Sequence, residues 1–392
     1  MSRSGRQAVI AGVADAALHE GRVREPGSVL QVQARCAQAA LAASGLMLDD
    51  VDALFTAGLW GIPGVGQLPT VTLSEYLNIR PTLHDGTNIG GSAFEAHVAH
   101  AALAIEQGLC EVALIVYGST QRSEMSRSLA GRPANLTMQF ETPWGLPTPV
   151  GGYALAAQRH FHEFGTKPEA LAEIAVAARK WASLNPAASK REPMSVDDVL
   201  AAPRISTPLG LLDCCLVTDG GGAVVLTTAE RARDADIRPI RILGHGQAAT
   251  HWTIAAMPDL ARLTAAEVAG RHAFDMAGIG HHEIDVVEVY DSFTITTLMT
   301  LEALGFCKRG EGGDFVLGGR IAPGGAFPLN TNGGGLSYAH PGMYGIFLII
   351  EAVRQLRGEV EPERQVAGAR IALAHGTGGT LSSGATLILA AS

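Results

Sequence analysis

Apolar and polar positions alternate along the chain in two periods. Short runs of unbroken apolar residues suit buried strands, and longer stretches with apolar residues three and four apart suit helices packed on a sheet. QAVIAGV at 7–13 reads as a strand. SVLQVQARCAQAALAAS at 28–44 reads as a helix with Ser28 as N-cap. VDALFTAG at 51–58 reads as a second strand, followed by a short helix over 71–77 that Arg80-Pro81 ends. Residues 84–119 form a strand–turn–helix–strand unit, with a Gly-Gly-Ser turn, a helix over 93–107, Gly108 as its C-cap and a buried strand over 112–117.

The pattern is interrupted once. Residues 123–152 are polar and rich in Pro and Gly, long for a connection, and read as a lid or interface loop. Helices including EALAEIAVAARKWASLN follow, so that 120–210 is an excursion that walls a cleft. A Gly turn (TDGGG) and a strand over 223–227 restore the core. From 237 the first plan recurs: strand and turn ILGHGQA, helix LTAAEVAGRHAFDMAG, strand and turn IDVVEVYDSF, Gly-rich turn and helix over 333–356, and strands at 370–375 and in ATLILAA. IDVVEVYDSF corresponds in placement to VDALFTAGLW, and NGGGLSYAHPGMYGIFLIIEAVRQLRG to NIGGSAFEAHVAHAALAIEQG. These correspondences predict a layered α/β protein of two duplicated halves, 1–235 and 236–392.

Composition narrows the function class. In 392 residues there are 47 Gly, 47% hydrophobic and only 5% aromatic positions, as expected of a tightly layered α/β chain. The net charge of −9 argues against nucleic acid or an anionic membrane as partner, although a local basic patch could still take a phosphorylated ligand. Cys36, Cys110, Cys214, Cys215 and Cys307 match no metal spacing and read as reduced core thiols of a cytoplasmic protein. The N-terminus lacks the apolar core of a secretory signal, and no apolar run reaches the ~18 residues of a membrane span.

Two turns concentrate the candidate chemistry. The stretch 286–306 passes from an apolar strand through Tyr290-Asp291-Ser292 into an apolar helix, and the Gly-rich run 330–345 carries Asn332, His340 and Tyr344. Each residue also has a plain structural reading. Tyr290 can be packing with one satisfied hydroxyl, Tyr344 can cap the core, and Asp291 can be a helix N-cap. His97 and His100 lie three apart on a helix without a third ligand, and NGGG and TDGGG lack the lysine and spacing of a phosphate loop.

Taken in order, NIGGSAFEAHVAHAALAIEQG, LVTDGGGAVVL, EVYDSFT, NTNGGGLSYAHPGMYG and HGTGG resemble the thiolase superfamily over almost the full length, in the branch of sterol-carrier-protein-type thiolases and their non-thiolytic relatives. The resemblance implies a five-layered αβαβα fold of two duplicated halves, a homodimer, and acyl-CoA substrates with CoA present only as part of the thioester and no other cofactor or metal. It also exposes a departure. Thiolases attack with a cysteine at the start of the helix after the first Gly-rich turn, which here is Gly91 or Ser92, and the second cysteine is missing from the loop beginning His375-Gly376. Ser92 reads as a helix N-cap with no base beside it in sequence. With Tyr290 and Tyr344 at neighbouring positions, the chain resembles the thiolase-like aldolases of steroid side-chain degradation. These cleave a β-hydroxyacyl-CoA to a ketone and propionyl-CoA, with two tyrosines as proton carriers. The resemblance implies Tyr290, Tyr344 and His340 as catalytic. It implies Asn332, His375, Asp291, Gly91 and Ser92 around the substrate, with Asn332 and His340, or the amides of the Gly-rich turns, holding the oxyanion. It further implies a small DUF35-type partner, an OB-fold with a zinc ribbon, in a heterotetramer. A catalytically silent acyl-CoA or lipid carrier or scaffold and a Claisen-type acyltransferase are the competing functions.

Overall fold

In the computed structural model the described residues are 6–58, 68–124, 140–146, 149–234 and 237–392. The first half builds β1 (Ala8–Asp15), α1 (Val29–Ala43), β2 (Ala53–Phe55), α2 (Pro69–Leu77), β3 (Leu83–Asp85), α3 (Ala93–Glu106), β4 (Val112–Ser119) and β5 (Gly220–Thr228). The excursion between β4 and β5 contributes α4 (Val150–Phe164) and α5 (Pro168–Leu184). The second half builds β6 (Ile240–Ala249), α6 (Thr264–Ala277), β7 (Val286–Val289), α7 (Thr294–Ala303), α8 (Gly345–Arg357), β8 (Ile371–Gly378) and β9 (Ser383–Ala391). Ser28 begins α1 with a capping box, its hydroxyl accepting from the Gln31 amide while the Gln31 side chain accepts from the Ser28 amide.

The strands run in the order β7-β8-β9-β6-β1-β5-β4-β2-β3. The two halves meet where β1 and β6 pair antiparallel, Val9 opposite Arg241 and Ile10 opposite Ile240. Outward from this seam the halves repeat. In the first, β1 pairs antiparallel with β5 and β5 with β4, and then β4-β2-β3 are parallel. In the second, β6 pairs antiparallel with β9 and β9 with β8, β8 and β7 are parallel, and Leu329 makes a lone parallel bridge to Val287 where β3 stands in the first half. The central helices α3 and α8 contact each other and strands of both halves, while α1 packs on strands of the first half and α6 on strands of the second. This is the thiolase fold, αβαβα from two duplicated halves.

The strands of the core are buried on both faces, so their apolar runs do not alternate. The glycines at 220–222 correct the expectation of a turn. They are the first three residues of β5, and side chains there would run into Pro341, Val32 and Ile350 respectively. The pattern therefore marks close packing of helices on a strand. Of the expected loop 123–152, residues 125–139 and 147–148 lie outside the described residues, as does the division at 235/236. Among the described residues no helix is long and apolar enough to cross a membrane.

Candidate active site

Strand β7 carries Tyr290 to the sheet end, and the Tyr290 amide still donates to the His375 carbonyl of β8 at 3.0 Å. The chain then turns, and the Phe293 backbone, extended, begins α7. The second turn is tied to the first by the residues between Val289 and Leu336. Asn330 accepts from the Val289 amide through Oδ1 at 2.8 Å. Asp291 accepts from the amides of Gly335 (2.6 Å) and Leu336 (3.2 Å). Gly334 has a left-handed φ of 64°, and a Cβ there would lie 2.0 Å from Asp291 Oδ2, so only glycine closes this turn. Residues Gly334–Tyr338 form one π-helical turn, a geometry that recurs at functional sites. Beyond it, Tyr117 at the end of the buried run of β4 donates to the Pro341 carbonyl at 2.5 Å and accepts from the Met343 amide at 3.1 Å, which pins the turn that presents His340.

Tyr290 and His340 meet in a cavity of about 310 Å³ at the ends of β7 and β8. The Tyr290 hydroxyl lies 2.9 Å from His340 Nε2 and 3.4 Å from the Gly342 carbonyl oxygen, so its one proton can point to either acceptor. Their rings cross edge to face at 83°. Gly91, at the N-terminal end of α3, lines the same cavity, and a Cβ at this position would lie 2.1 Å from Tyr290 Cε2 and 2.6 Å from the Thr377 carbonyl oxygen. The tyrosine ring thus occupies the space into which a side chain at residue 91 would project.

The other expected site residues sit behind this wall. Tyr344 is fully buried, its hydroxyl donating to Asn332 Oδ1 at 2.9 Å, and its ring stacks on His340 (6.3 Å, 19°) and stands at 90° to Tyr290. Burial, with the nearby Asp291 and Glu288 carboxyls, holds its phenol well above the usual range. Asn332 accepts from Tyr344 and from the Gly334 amide, and does not line the cavity. Asp291 is neither a helix N-cap nor a cavity residue; burial pushes its carboxyl to about 6 against the pull of its two backbone donors. His375 is buried with Nδ1 2.8 Å from Thr386 Oγ1, and burial lowers it to about 3, which keeps the ring neutral. Ser92 stands at the N-cap position of α3 but makes no capping bond. Its Oγ donates to the Ile89 carbonyl (3.1 Å) and lies 2.8 Å from Ser383 Oγ, away from the cavity. Of the eight residues the sequence singles out, Tyr290, His340 and Gly91 face the cavity.

Sequence reasoning did not assign to the site Tyr153 from α4, Phe293, Met343, Trp252 and Cys215, which all line the cavity, Cys215 although its vicinal pair read as core thiols. Phe293 and Met343 belong to the two turns that the sequence singles out, and Tyr153 to the excursion expected to wall a cleft; Cys215 and Trp252 carried no signal of their own. His97 and His100 hold the β3 edge together. His97 bonds the Thr87 carbonyl (2.9 Å), while His100 lies 2.7 Å from Asp85 Oδ2 and 3.0 Å from Gln247 Nε2.

The chain belongs to the thiolase superfamily, in the branch that contains the steroid side-chain-cleaving aldolases. The profile of the Thiolase C-terminal domain-like family matches residues 246–391. A 17-hydroxy-3-oxo-4-pregnene-20-carboxyl-CoA lyase of Mycobacterium tuberculosis is 34% identical over 98% of this chain and 99% of its own. An acetyl-CoA acetyltransferase of Methanothermobacter thermautotrophicus is 35% identical over 75% of this chain and 78% of its own. Among solved structures, an Ltp2-ChsH2(DUF35) aldolase superposes with a TM-score of 0.86 at 31% identity, over 98% of both chains.

Proposed function

We propose that the chain is a carbon–carbon lyase that cleaves a β-hydroxyacyl-CoA with a bulky, steroid-type group by retro-aldol chemistry, to a ketone and a short acyl-CoA such as propionyl-CoA. The observation that carries this reading is the contact of Gly91 with Tyr290: a proton-transfer group fills the room a sulfur nucleophile would need. The full-length similarity to a pregnene-carboxyl-CoA lyase supports the same class.

The residues divide the work as follows. Tyr290 takes the β-hydroxyl proton while passing its own to His340 Nε2, which spares the site a free tyrosinate, since a phenol ordinarily titrates near ~10. As the β-oxygen forms the ketone, the Cα–Cβ bond breaks and its electron pair enters the thioester as an enolate. The enolate oxygen lies against the N-terminal end of α3, where the helix dipole favours negative charge. The proton then returns through Tyr290 to the α-carbon. It leaves oxygen and ends on carbon, so neither water nor an oxidant is consumed. Tyr344 and Asn332 are positioning residues that hold the His340 turn, and Asp291 anchors the π turn beside it.

The Claisen-type acyltransferase is the second reading, favoured by the acetyltransferase relative and by Cys215 on the cavity wall. A silent carrier leaves the hydrogen-bonded Tyr290–His340 pair inside the cavity without a role. Incubation with a steroid-type β-hydroxyacyl-CoA separates the three. Retro-aldol cleavage yields ketone and short acyl-CoA one to one at a rate independent of free CoA. Acyl transfer makes the rate depend on a thiol acceptor, and a carrier leaves the thioester intact. We extend the proposal to a homodimer joined by a DUF35-type partner into a heterotetramer; of this assembly, the similar Ltp2-ChsH2(DUF35) aldolase supports the DUF35-type partner. The halves divide, on this reading, at 235/236.

A further inference from the structure

The cavity has two unlike sides. One is backbone and proton-transfer chemistry: the turn through Gly90 and Gly91, the strand end at Thr377 and Gly378, and the Tyr290–His340 pair. The other is aromatic. Tyr153 and Phe293 stack with centroids 4.3 Å apart and planes 33° from parallel, and the Tyr153 hydroxyl donates to the Gly379 carbonyl at 3.1 Å, which fixes the pair's orientation. Trp252 continues this wall outward. Its carbonyl is held by Ser382 Oγ at 3.2 Å, yet 54% of the residue is open to solvent. A tryptophan with its carbonyl held and half its surface in water, on the wall of a partly open site, gains free energy when a flat apolar group covers it.

The volume decides where such a group lies. About 310 Å³ is at the small end of ligand cavities, too little to enclose both a thioester and a fused-ring body. With the reacting carbons beside Tyr290, the ring body has to extend past the Tyr153–Phe293 pair to the mouth. We propose that Trp252, which lines the same cavity as the Tyr153–Phe293 pair, is the shelf on which the fused rings of the substrate lie, and that it sets the preference for ring-bearing over short branched thioesters. This inference rests on the retro-aldol reading for the placement of the reacting carbons. The polar side of the cavity receives the thioester, and the aromatic side receives the part that leaves as ketone.

The test is a binding measurement joined to a kinetic one. A fused-ring steroid ketone, a product-type ligand with no thioester, is titrated by calorimetry into the wild type, Trp252→Ala and Trp144→Ala. Trp144 is 85% exposed and does not line the cavity, so it is the control. Trp252→Ala is expected to weaken binding about tenfold, and Trp144→Ala to leave it unchanged. With a steroid-type thioester, Trp252→Ala raises KM about tenfold and keeps kcat, whereas a short branched β-hydroxyacyl-CoA is handled equally by variant and wild type. Unchanged ketone affinity in Trp252→Ala, or equal losses on both thioesters, overturns the shelf. Ketone binding that depends on Trp252 in a protein that cleaves neither thioester keeps the shelf and refutes the retro-aldol reading instead.

Discussion

Replacing Gly91 by alanine adds one methyl group at the most crowded point of the site. The new Cβ would stand 2.1 Å from Tyr290 Cε2, 2.8 Å from Cζ and 2.6 Å from the Thr377 carbonyl oxygen. Carbon atoms in contact sit at about 3.5–4.0 Å, so the ring has to retreat by about 1.4 Å or the α3 turn has to open. Neither is free to move. The Tyr290 hydroxyl is bonded to His340, its ring stands on Tyr344, and the Thr377 carbonyl belongs to β8. Overpacking of this kind costs about 1–3 kcal/mol, and a displacement of about 1 Å at a reacting group costs about 10²-fold in rate. Steady-state cleavage of the thioester and thermal unfolding of Gly91→Ala read both effects. The same substitution made in a Tyr290→Ala background isolates the ring contact, because only the Thr377 clash is left. The stability cost should then shrink by about 1 kcal/mol or more. Wild-type turnover and unfolding temperature in Gly91→Ala, or an equal cost in both backgrounds, would refute the claim that Tyr290 has taken the nucleophile's space.

Three further outcomes follow from the same contacts. Ser92→Ala should keep cleavage within about threefold while losing about 1 kcal/mol of stability, because the hydroxyl bonds Ile89 and Ser383 and does not face the cavity; loss of turnover would restore Ser92 as a catalytic candidate. Tyr344→Phe removes one hydrogen bond, to an Asn332 that still accepts from Gly334, and should cost about 1 kcal/mol and less than about tenfold in kcat; abolished turnover with a normal unfolding temperature would make Tyr344 a proton carrier. Glu95 is buried between Gly345 and Gly376 with no other residue bonding its carboxyl oxygens, and burial raises it from 4.5 to about 8 against the pull of its own backbone amide. The folded state therefore keeps a proton that the unfolded state has released. The stability tied to this group is fully present below about 4.5 and is lost as pH rises to about 8, at up to ~1.4 kcal/mol per pH unit. Unfolding temperatures should fall less steeply between these limits in Glu95→Gln than in the wild type, and parallel profiles would contradict the assignment.

What the sequence revealed of the fold follows from burial on both faces. Apolar runs such as VALIVY in β4 and ATLILAA in β9 have little to be besides central strands, and the glycine-led helices α3 and α8 repeat between the halves. The resemblance to thiolases supplied the layering and the chemistry that periodicity alone could not. Direction was the missing quantity. Asp291 follows Tyr290 directly, yet strand geometry sends its side chain beneath the wall to the amides of Gly335 and Leu336. Asn332 and His375 are likewise near the site in sequence and behind it in space. Tyr117 was hidden at the end of an apolar run, where nothing indicated that its hydroxyl would anchor the His340 turn. Trp252 and Tyr153 come from segments remote from either turn, and only the packing of α4 and the β6–α6 connection against α7 and the strand ends brings them to the cavity.

The most direct test is the Tyr290→Phe variant assayed on a steroid-type β-hydroxyacyl-CoA. Phenylalanine keeps the ring over Gly91 and removes only the hydroxyl bonded to His340. The account predicts a fall in kcat of about 10²–10⁴-fold with KM and unfolding temperature close to wild type. Ketone and short acyl-CoA released by Tyr290→Phe at the wild-type rate would contradict it.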